Sequence, residues 1–309
     1  MASNVGTRRT WKFLCVSVAL AASALGAQAQ TVTPTPETGV TPNVLLLHRA
    51  DIIPGRETDY SQREEQIAAG FEQQRIPVYW QALQSLTGPV NMLYFDGYDS
   101  FLEVEKTQEV LTAALSAQRE IAEWQSELRG YTNASSTVLA FRRDDLGYRM
   151  NKVDISRAQY VRVTQVQLKT GTDEQFAEAV RSVRHYYEAN DVDAPWVIYQ
   201  VDSGMGVPTY FQLQPMQSLQ EMDDAYDRAR NLQRPVRDFL RQRLIQTLQA
   251  SLVNADAEIY KVSQRMSHVA PNGQTSHAVP ARQSSERAAA NGDPGNAVGA
   301  RDERPTGLN

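Results

Sequence analysis

The alternation of hydrophobic and polar positions changes its period several times within the first half of this 309-residue chain. Residues 43–52 alternate with a period of two, which predicts a strand, and apolar positions at helical spacing over 60–71 predict a helix. Two short apolar runs within 79–96 flank a Gly-Pro pair and predict a hairpin. A long helical stretch over 101–129 and a last strand over 137–143 complete the order βαββαβ.

The same order of elements returns 116 positions further along the chain. Seven positions of the first copy reappear in the second without a gap: Gly55, Tyr60, Trp80, Gln84, Gly88, Tyr94 and Phe95 correspond to Gly171, Phe176, Trp196, Gln200, Gly204, Tyr210 and Phe211. The second copy predicts strands over 160–168 and 257–264, a helix over 176–187, a hairpin over 196–214 and a long helical stretch over 219–253. A fixed internal period indicates one structural unit that is used twice.

Each hairpin leads into a helix that begins with the same start signal. The segments 100–103 and 218–221 both read Ser-x-x-Glu, which is the pattern of a capping box. Because both helical stretches are unusually long, we expect each to bend or break, the first near Leu115 and the second at Arg234-Pro235.

The order βαββαβ, read twice, is the split βαβ or ferredoxin-like arrangement and predicts an α+β fold. Four antiparallel strands with helices on one face leave the other face bare, so the second repeat is expected to cover the first. The segments around Pro54-Gly55 with Trp80, and Gly171 with Trp196 and Tyr199, resemble NIPSNAP-type and antibiotic-biosynthesis-monooxygenase-type members of the dimeric α+β barrel superfamily. This resemblance implies two tandem ferredoxin-like repeats whose antiparallel sheets face each other as a pseudo-dimer within one chain.

Composition divides the chain into six segments. They are a signal peptide over 1–29, a Thr/Pro-rich spacer over 30–42, the first repeat over 43–143, a linker over 144–158, the second repeat over 159–266 and a tail over 267–309. The linker is polar, and the tail has almost no large apolar side chains, so we expect the tail to be disordered.

The first segment has the pattern of an export signal. Arg8, Arg9 and Lys12 precede a short apolar run and a small-x-small motif that ends at Ala29, which predicts cleavage nearby and a periplasmic or secreted protein. The arginine pair resembles a twin-arginine export signal, and the ordinary secretory route stays equally open. Cys15 is the only cysteine, so the mature chain is expected to have no disulfide and no Cys-based metal site.

Charge and composition exclude several classes of partner. The formal net charge is −5 without a basic stripe, which argues against binding to nucleic acid. No apolar run after the signal is long enough to span a membrane. The four histidines are scattered, and no phosphate loop, dinucleotide fingerprint or nucleophile elbow is present, so no metal and no cofactor is predicted. The long helices are expected to expose surface that could form a contact between copies of the chain, so a homo-oligomer remains possible.

Alternation also predicts which side chains face the space between the two sheets. The wholly apolar sets, such as Leu45 with Leu47 and Val161 with Val163, are expected beneath the helices. The mixed faces are expected to line an enclosed space, and their candidate ligand-binding residues are His48, Trp80, Gln84, Tyr94, Arg162, Thr164, Trp196, Gln200 and Tyr210. Two interpretations stay open: an aromatic pocket for a flat or apolar ligand, or a core filled by paired Trp and Tyr side chains.

Within these faces the two copies differ most at two positions. His48 corresponds to Thr164, and Leu46 corresponds to Arg162. A site built in only one half would leave such differences, and so would sequence drift.

Two functions are compatible with these residues, and neither assigns a catalytic residue. The first is a non-catalytic exported module that binds a small apolar or aromatic ligand, or a partner, because no activated nucleophile is evident. The second, implied by the resemblance, is a cofactor-independent monooxygenase-like oxidoreductase: Trp80 and Tyr94 would stack on a polycyclic substrate, and His48 or Arg162 would stabilise its anion. The second requires a cavity between the sheets. A purely structural role, in which the second repeat only closes the first, is a third possibility.

Overall fold

The computed structural model describes residues 41–230 and 249–270, together with residues 242 and 246. The strands in these ranges are β1 (Val44–Ile52), β2 (Trp80–Ser85), β3 (Asn91–Tyr98), β4 (Thr132–Arg142), β5 (Tyr160–Leu168), β6 (Val197–Ser203), β7 (Thr209–Met216) and β8 (Leu252–His268). The α-helices are α1 (Glu57–Gln73), α2 (Phe101–Ala117), α3 (Arg119–Leu128), α4 (Asp173–Ala189) and α5 (Gln220–Arg230). None of the helices in this part of the chain is long and apolar enough to cross a bilayer.

The eight described strands form one closed antiparallel barrel in the order β1-β3-β2-β8-β5-β7-β6-β4. Strands β1 to β4 therefore stand in the order β4-β1-β3-β2, and strands β5 to β8 stand in the corresponding order β8-β5-β7-β6. Two seams, β2 with β8 and β4 with β6, join these groups by antiparallel pairing. The α+β class and the barrel are thus confirmed, and the sheets are hydrogen-bonded to each other rather than only face to face.

The barrel interior is filled by apolar side chains from all eight strands. The buried set comprises Leu45, Leu47, Leu83, Leu93, Phe95, Val138, Ala140, Val161, Val163, Val197, Tyr199, Val201, Phe211, Leu213, Tyr260 and Val262. An eight-stranded barrel has an interior just wide enough for side chains to fill, so it takes the wholly apolar face of each strand. The prediction that these apolar sets lie beneath the helices is therefore wrong.

The mixed faces of the strands lie on the outside of the barrel, where helices cover them. Trp80 packs edge-on against Phe71 of α1, with ring centroids 5.0 Å apart, and Tyr210 packs against Phe176 of α4 at 4.8 Å. Because successive side chains on a strand point to opposite faces, a change of parity moves the complete set from one side to the other. The expectation that the candidate residues line a space between the sheets is therefore wrong, because they lie on the outer surface of the barrel.

The segment that joins the two groups of strands closes one end of the barrel. Within the predicted linker 144–158, Val153 and Ala158 are 3% and 0% exposed and belong to the interior cluster, and Met150 and Ile155 pack against it. A Tyr148–Trp196 bridge ties the same segment to the chain just before β6. The expected polar tether is therefore an apolar plug.

The helix boundaries agree with the start signals in the sequence. Ser100 Oγ accepts a hydrogen bond from the Glu103 amide at 3.4 Å, and Glu103 accepts from the Asp99 amide at 2.8 Å. The predicted break of the first long helix occurs at Gln118, between α2 and α3. At the second box, Glu221 accepts from the Gln217 amide at 2.7 Å. In each box the glutamate reaches the residue before the serine.

Several sequence-based predictions lie outside the described residues. These are the signal peptide and most of the spacer over 1–40, the tail beyond 270, and the break at Arg234-Pro235. The last strand, by contrast, is described and is longer than predicted, because β8 runs from Leu252 to His268 instead of over 257–264.

The register of the two hairpins differs by two residues. Gln81 pairs with Phe95, whereas Val197, which stands 116 positions after Gln81, pairs with Leu213 instead of Phe211. The second hairpin thus holds two more residues than the first. In the strand ladders Tyr94 and Tyr210 are not equivalent. Tyr94 lies opposite His48, whose counterpart in the second copy is Thr164, but Tyr210 lies opposite Val166.

Candidate functional site

Three of the predicted site residues, His48, Trp80 and Tyr94, lie in one region beneath α1. The Tyr94 hydroxyl is 2.9 Å from the hydroxyl of Tyr60, which α1 contributes. The His48 ring lies 6.0 Å from the Tyr94 ring, and its Nδ1 is 2.9 Å from Thr137 Oγ1. Burial lowers the pKa of His48 because the protonated ring is poorly solvated there.

A buried carboxyl group that the sequence analysis did not identify completes this region. Glu64 of α1 is 7% exposed, and burial raises its pKa to about 7, although hydrogen bonds with Tyr94 and Tyr60 act in the opposite direction. Burial also raises the pKa of both tyrosines. The signal was available in the sequence, since Glu64 follows Tyr60 by four positions and so shares its helix face.

The two tryptophans and Tyr210 serve as anchors between the barrel and its outer layer. Trp80 Nε1 donates to the Met266 carbonyl at 2.7 Å, and Trp196 Nε1 donates to the Leu146 carbonyl at 2.9 Å. The Tyr210 hydroxyl donates to Asp173 Oδ1 at 3.1 Å. Each large ring is packed and each polar tip is satisfied, which is the usual arrangement of a structural Trp or Tyr.

The remaining glutamine and threonine candidates are not brought together. Gln84 is exposed on β2, and Gln200 accepts a hydrogen bond from Arg143 Nη1 at 2.6 Å. Thr164 is half-buried on the outer face of β5, opposite Gln212 of β7. The nine predicted residues therefore do not form one site.

A polar network that the sequence analysis missed lies at the end of the barrel where β1 and β5 finish. Glu258 accepts hydrogen bonds from Arg49 at 3.4 Å, from Asn91 Nδ2 at 3.1 Å and from the Tyr260 hydroxyl at 2.5 Å. The adjoining cavity has a volume of about 40 Å³, which is room for only a few water molecules. Arg49 and Asn91 come from β1 and β3, so only the closed barrel brings them to Glu258 and Tyr260 of β8.

Two further polar side chains are buried without a hydrogen-bond partner among the described residues. Gln81 is 0% exposed and points into the barrel, and both of its amide atoms lack a partner. Asp96 Oδ1, on the outer face of β3, is in the same situation, and burial raises the pKa of Asp96 to about 7. No group of three or more His, Cys, Asp or Glu side chains in the described ranges could hold a metal ion.

A larger space lies outside the barrel, between the β5–β7 ladder and α5. We call it the Arg162 groove; its volume is about 280 Å³. Its lining consists of Arg162, Asp193, Ala194, Pro195, Gln214, Pro215, Met216, Glu221, Met222, Ala225 and Tyr226. Arg162 and Gln214 are opposite each other in the β5–β7 ladder, so their side chains share one floor.

The charges of the groove are unevenly compensated. Asp193 accepts from Lys152 at 2.8 Å and Arg149 at 3.1 Å, and the hydrogen bond from Lys152 is the main reason that its pKa is lowered. Glu221 accepts the Gln217 amide as part of the helix cap. Among the residues that the structure describes, no carboxylate forms an ion pair with Arg162, so no direct ion pair compensates the charge of its guanidinium.

Arg162 was among the sequence candidates because it departs from Leu46 of the first copy. The apolar walls of the groove could not be anticipated, since Met222, Ala225 and Tyr226 line it only because of where α5 lies.

No protein-family model matches this chain, and no curated protein is significantly similar to it. A protein from Lactobacillus acidophilus NCFM, named only provisionally as a monooxygenase, is 10% identical with a TM-score of 0.45, over 72% of this chain and 94% of that one. An anthrone oxidase-like protein is 11% identical with a TM-score of 0.46, over 72% of this chain and 92% of that one. A mutant chlorite dismutase from Candidatus Nitrospira defluvii is 8% identical with a TM-score of 0.43, over 74% of this chain and 93% of that one. Likenesses this remote carry no argument about chemistry.

Proposed function

We propose that this chain is a binding module for a small organic ligand and that the ligand occupies the Arg162 groove. The observation that supports this proposal is the contrast between two spaces: about 280 Å³ in the groove and about 40 Å³ at the end of the barrel. Sites for small molecules have volumes of about 300 Å³ and more, with mostly apolar walls and a few polar groups. The groove approaches this description and the barrel cavity does not.

The monooxygenase-like alternative is not favoured by the same contrast. It requires a polycyclic substrate inside the barrel, where the described side chains from all eight strands pack together. Its residues for stacking and for anion stabilisation, Trp80, Tyr94 and His48, are outside the barrel. Trp80 and Tyr94 connect the barrel to the end of β8 and to α1. Arg162, the other residue considered for the anion, lies in the groove.

We also propose that the two groups of strands are tandem ferredoxin-like repeats of NIPSNAP-like type. The equal strand orders β4-β1-β3-β2 and β8-β5-β7-β6 support this, as does the 116-residue period of the sequence. An export signal over 1–29 would place the module in the periplasm or outside the cell. The intact mass of protein purified from that compartment tests the signal, because cleavage near Ala29 removes a defined mass.

Binding in the groove is tested with a neutral apolar fluorophore, N-phenyl-1-naphthylamine, and two matched variants. Ala225→Trp fills the groove, and Ala113→Trp adds the same side chain to an exposed position of α2. We expect saturable fluorescence enhancement with one site for the wild-type protein and for Ala113→Trp, and its loss for Ala225→Trp. Equal binding by all three proteins would show that the ligand site is elsewhere.

A further inference from the structure

We infer that the ligand of the Arg162 groove is an organic monoanion, namely a carboxylate with a compact apolar body. This inference rests on the proposed function and adds the chemical class of the ligand. Three features of the groove lead to it: a guanidinium with which no described carboxylate pairs, apolar walls, and carboxylates in the rest of the lining.

The guanidinium of Arg162 selects for a negative group. Arg162 is half-buried on the outer face of β5, and no described carboxylate pairs with it. Gln214 lies beside it in the ladder, and its amide can donate a further hydrogen bond. An arginine fork matches a carboxylate with two parallel hydrogen bonds, and these are stronger than hydrogen bonds between neutral groups.

The walls of the groove select for an apolar body. Met222, Ala225 and Tyr226 face it from α5 at helical spacing, and Met216 and Pro195 face it from the barrel side. Methionine side chains adapt their shape to a ligand, and the Tyr226 ring offers a flat surface. The volume of about 280 Å³ lies at the lower end of the range for small-molecule sites, which limits the ligand to a compact body.

The remaining charges select against a second negative group. Glu221 also lines the groove and has no ion pair among the described residues, whereas Arg149 and Lys152 offset the charge of Asp193. A dianion that placed one carboxylate on Arg162 would bring the other towards Glu221, and like charges repel. The groove is therefore suited to one negative charge and not to two.

The test compares three probes of equal chain length by titration calorimetry at neutral pH: octan-1-ol, octanoate and octanedioate. We expect octanoate to bind about tenfold more tightly than octan-1-ol or octanedioate, as one charge-assisted hydrogen-bonding contact predicts. Arg162→Gln should remove this preference, and Arg162→Lys should keep part of it. Arg119→Gln, which removes an arginine that is 91% exposed on α3, is the matched control and should bind as the wild-type protein does.

The possible outcomes separate this inference from the proposed function. If octan-1-ol and octanoate bind equally, and Ala225→Trp abolishes both, the groove is a ligand site but the monoanion class is overturned. If octanedioate binds as tightly as octanoate, the exclusion of a second charge is overturned. If Ala225→Trp leaves the binding of every probe unchanged, the proposed function fails together with the inference.

Discussion

The hydroxyl groups of Tyr60 and Tyr94 lie 2.9 Å apart and connect α1 to β3 beneath a layer of buried side chains. Tyr60 and Tyr94 are 2% and 7% exposed, so water does not replace a hydrogen bond lost there. Both tyrosines also interact with the buried carboxyl group of Glu64. These polar contacts on the inner face of α1 help to fix the position of the helix, because a buried polar group must find its partner.

We therefore expect Tyr94→Phe to destabilise the protein by about 1–2 kcal/mol, since it leaves a buried hydroxyl short of a partner. Urea unfolding with an unchanged m-value is the measurement. Tyr226→Phe is the control, because Tyr226 is 41% exposed and its change should be close to zero. Equal stability of the two variants would contradict the structural role of the Tyr60–Tyr94 contact.

A second prediction concerns pH. Glu64 has a pKa of about 7 in the folded protein, against an ordinary value of 4.5, so the folded state holds its proton more tightly than the unfolded state does. The stability associated with this proton is fully present below pH 4.5 and is lost as the pH rises to about 7. The full change is roughly 3 kcal/mol.

The variant Glu64→Gln isolates this effect from the other groups that titrate in the same range. Asp96 contributes in the same direction, because its pKa is also raised to about 7, and His48 contributes in the opposite direction, because its pKa is lowered. We expect the free energy of unfolding to fall less between pH 4.5 and 7 for Glu64→Gln than for the wild-type protein. Identical pH profiles would show that folding does not raise the pKa of Glu64.

A third prediction tests the seam between β4 and β6. Gly204 has a φ of +98°, and a Cβ atom there would lie 2.1 Å from the carbonyl oxygen of Thr137 in β4. We expect Gly204→Ala to destabilise the protein by about 3 kcal/mol or more, because backbone must move at the point where the barrel closes. Thermal unfolding measures the effect.

Gly171→Ala is the matched control for the seam. Gly171 has a similar φ of +81°, but a Cβ atom there would meet nothing within 4 Å. The Gly171→Ala variant should therefore be destabilised by only about 1 kcal/mol, the cost of placing an alanine at a positive φ. A Gly204→Ala variant as stable as Gly171→Ala would mean that β4 and β6 are not in close contact.

A fourth prediction concerns the ion pair at the end of the barrel. Arg49 and Glu258 connect β1 with β8, and their side chains are 29% and 16% exposed. A double-mutant cycle with Arg49→Gln and Glu258→Gln should give a coupling energy of about 1 kcal/mol, towards the upper end for ion pairs. The exposed pair Arg119–Glu123 on α3 is the comparison and should give roughly 0.3 kcal/mol. A coupling energy for Arg49–Glu258 below that of Arg119–Glu123 would show that solvent screens this ion pair as strongly as an exposed one.

The sequence predicted the order and type of the elements well, because period and turn residues are local signals. The strand predicted over 160–168 is β5 without change, and the helix break expected near Leu115 occurs at Gln118. The boundaries of β4 and β8 were less accurate, since both strands extend beyond their apolar runs through polar residues such as Asn133 and Asn254. Pairing with neighbouring strands, which a single sequence does not show, sustains those ends.

The assignment of inside and outside could not be made from the pattern, because both faces of several strands carry large apolar side chains. On β3, Leu93 and Phe95 point inward while Met92 and Tyr94 point outward, and all four are buried. Only the closure of the barrel decides between the two faces. For the same reason Glu258 was missed as a partner of Arg49, and Arg162 was identified without the groove that it lines.

The two seams of the barrel also limit how this protein can associate with other chains. In the described part of the chain each strand has a hydrogen-bonded neighbour on both sides, but residues 132–138 of β4 and 252–258 of β8 are paired on one side only. A partner can therefore add a strand of its own, as peptide ligands do on an open sheet, only at such strand ends. Recognition elsewhere on this part of the molecule must use helix faces, hairpin tips or the plug, and thus side-chain shape and charge in place of main-chain hydrogen bonds.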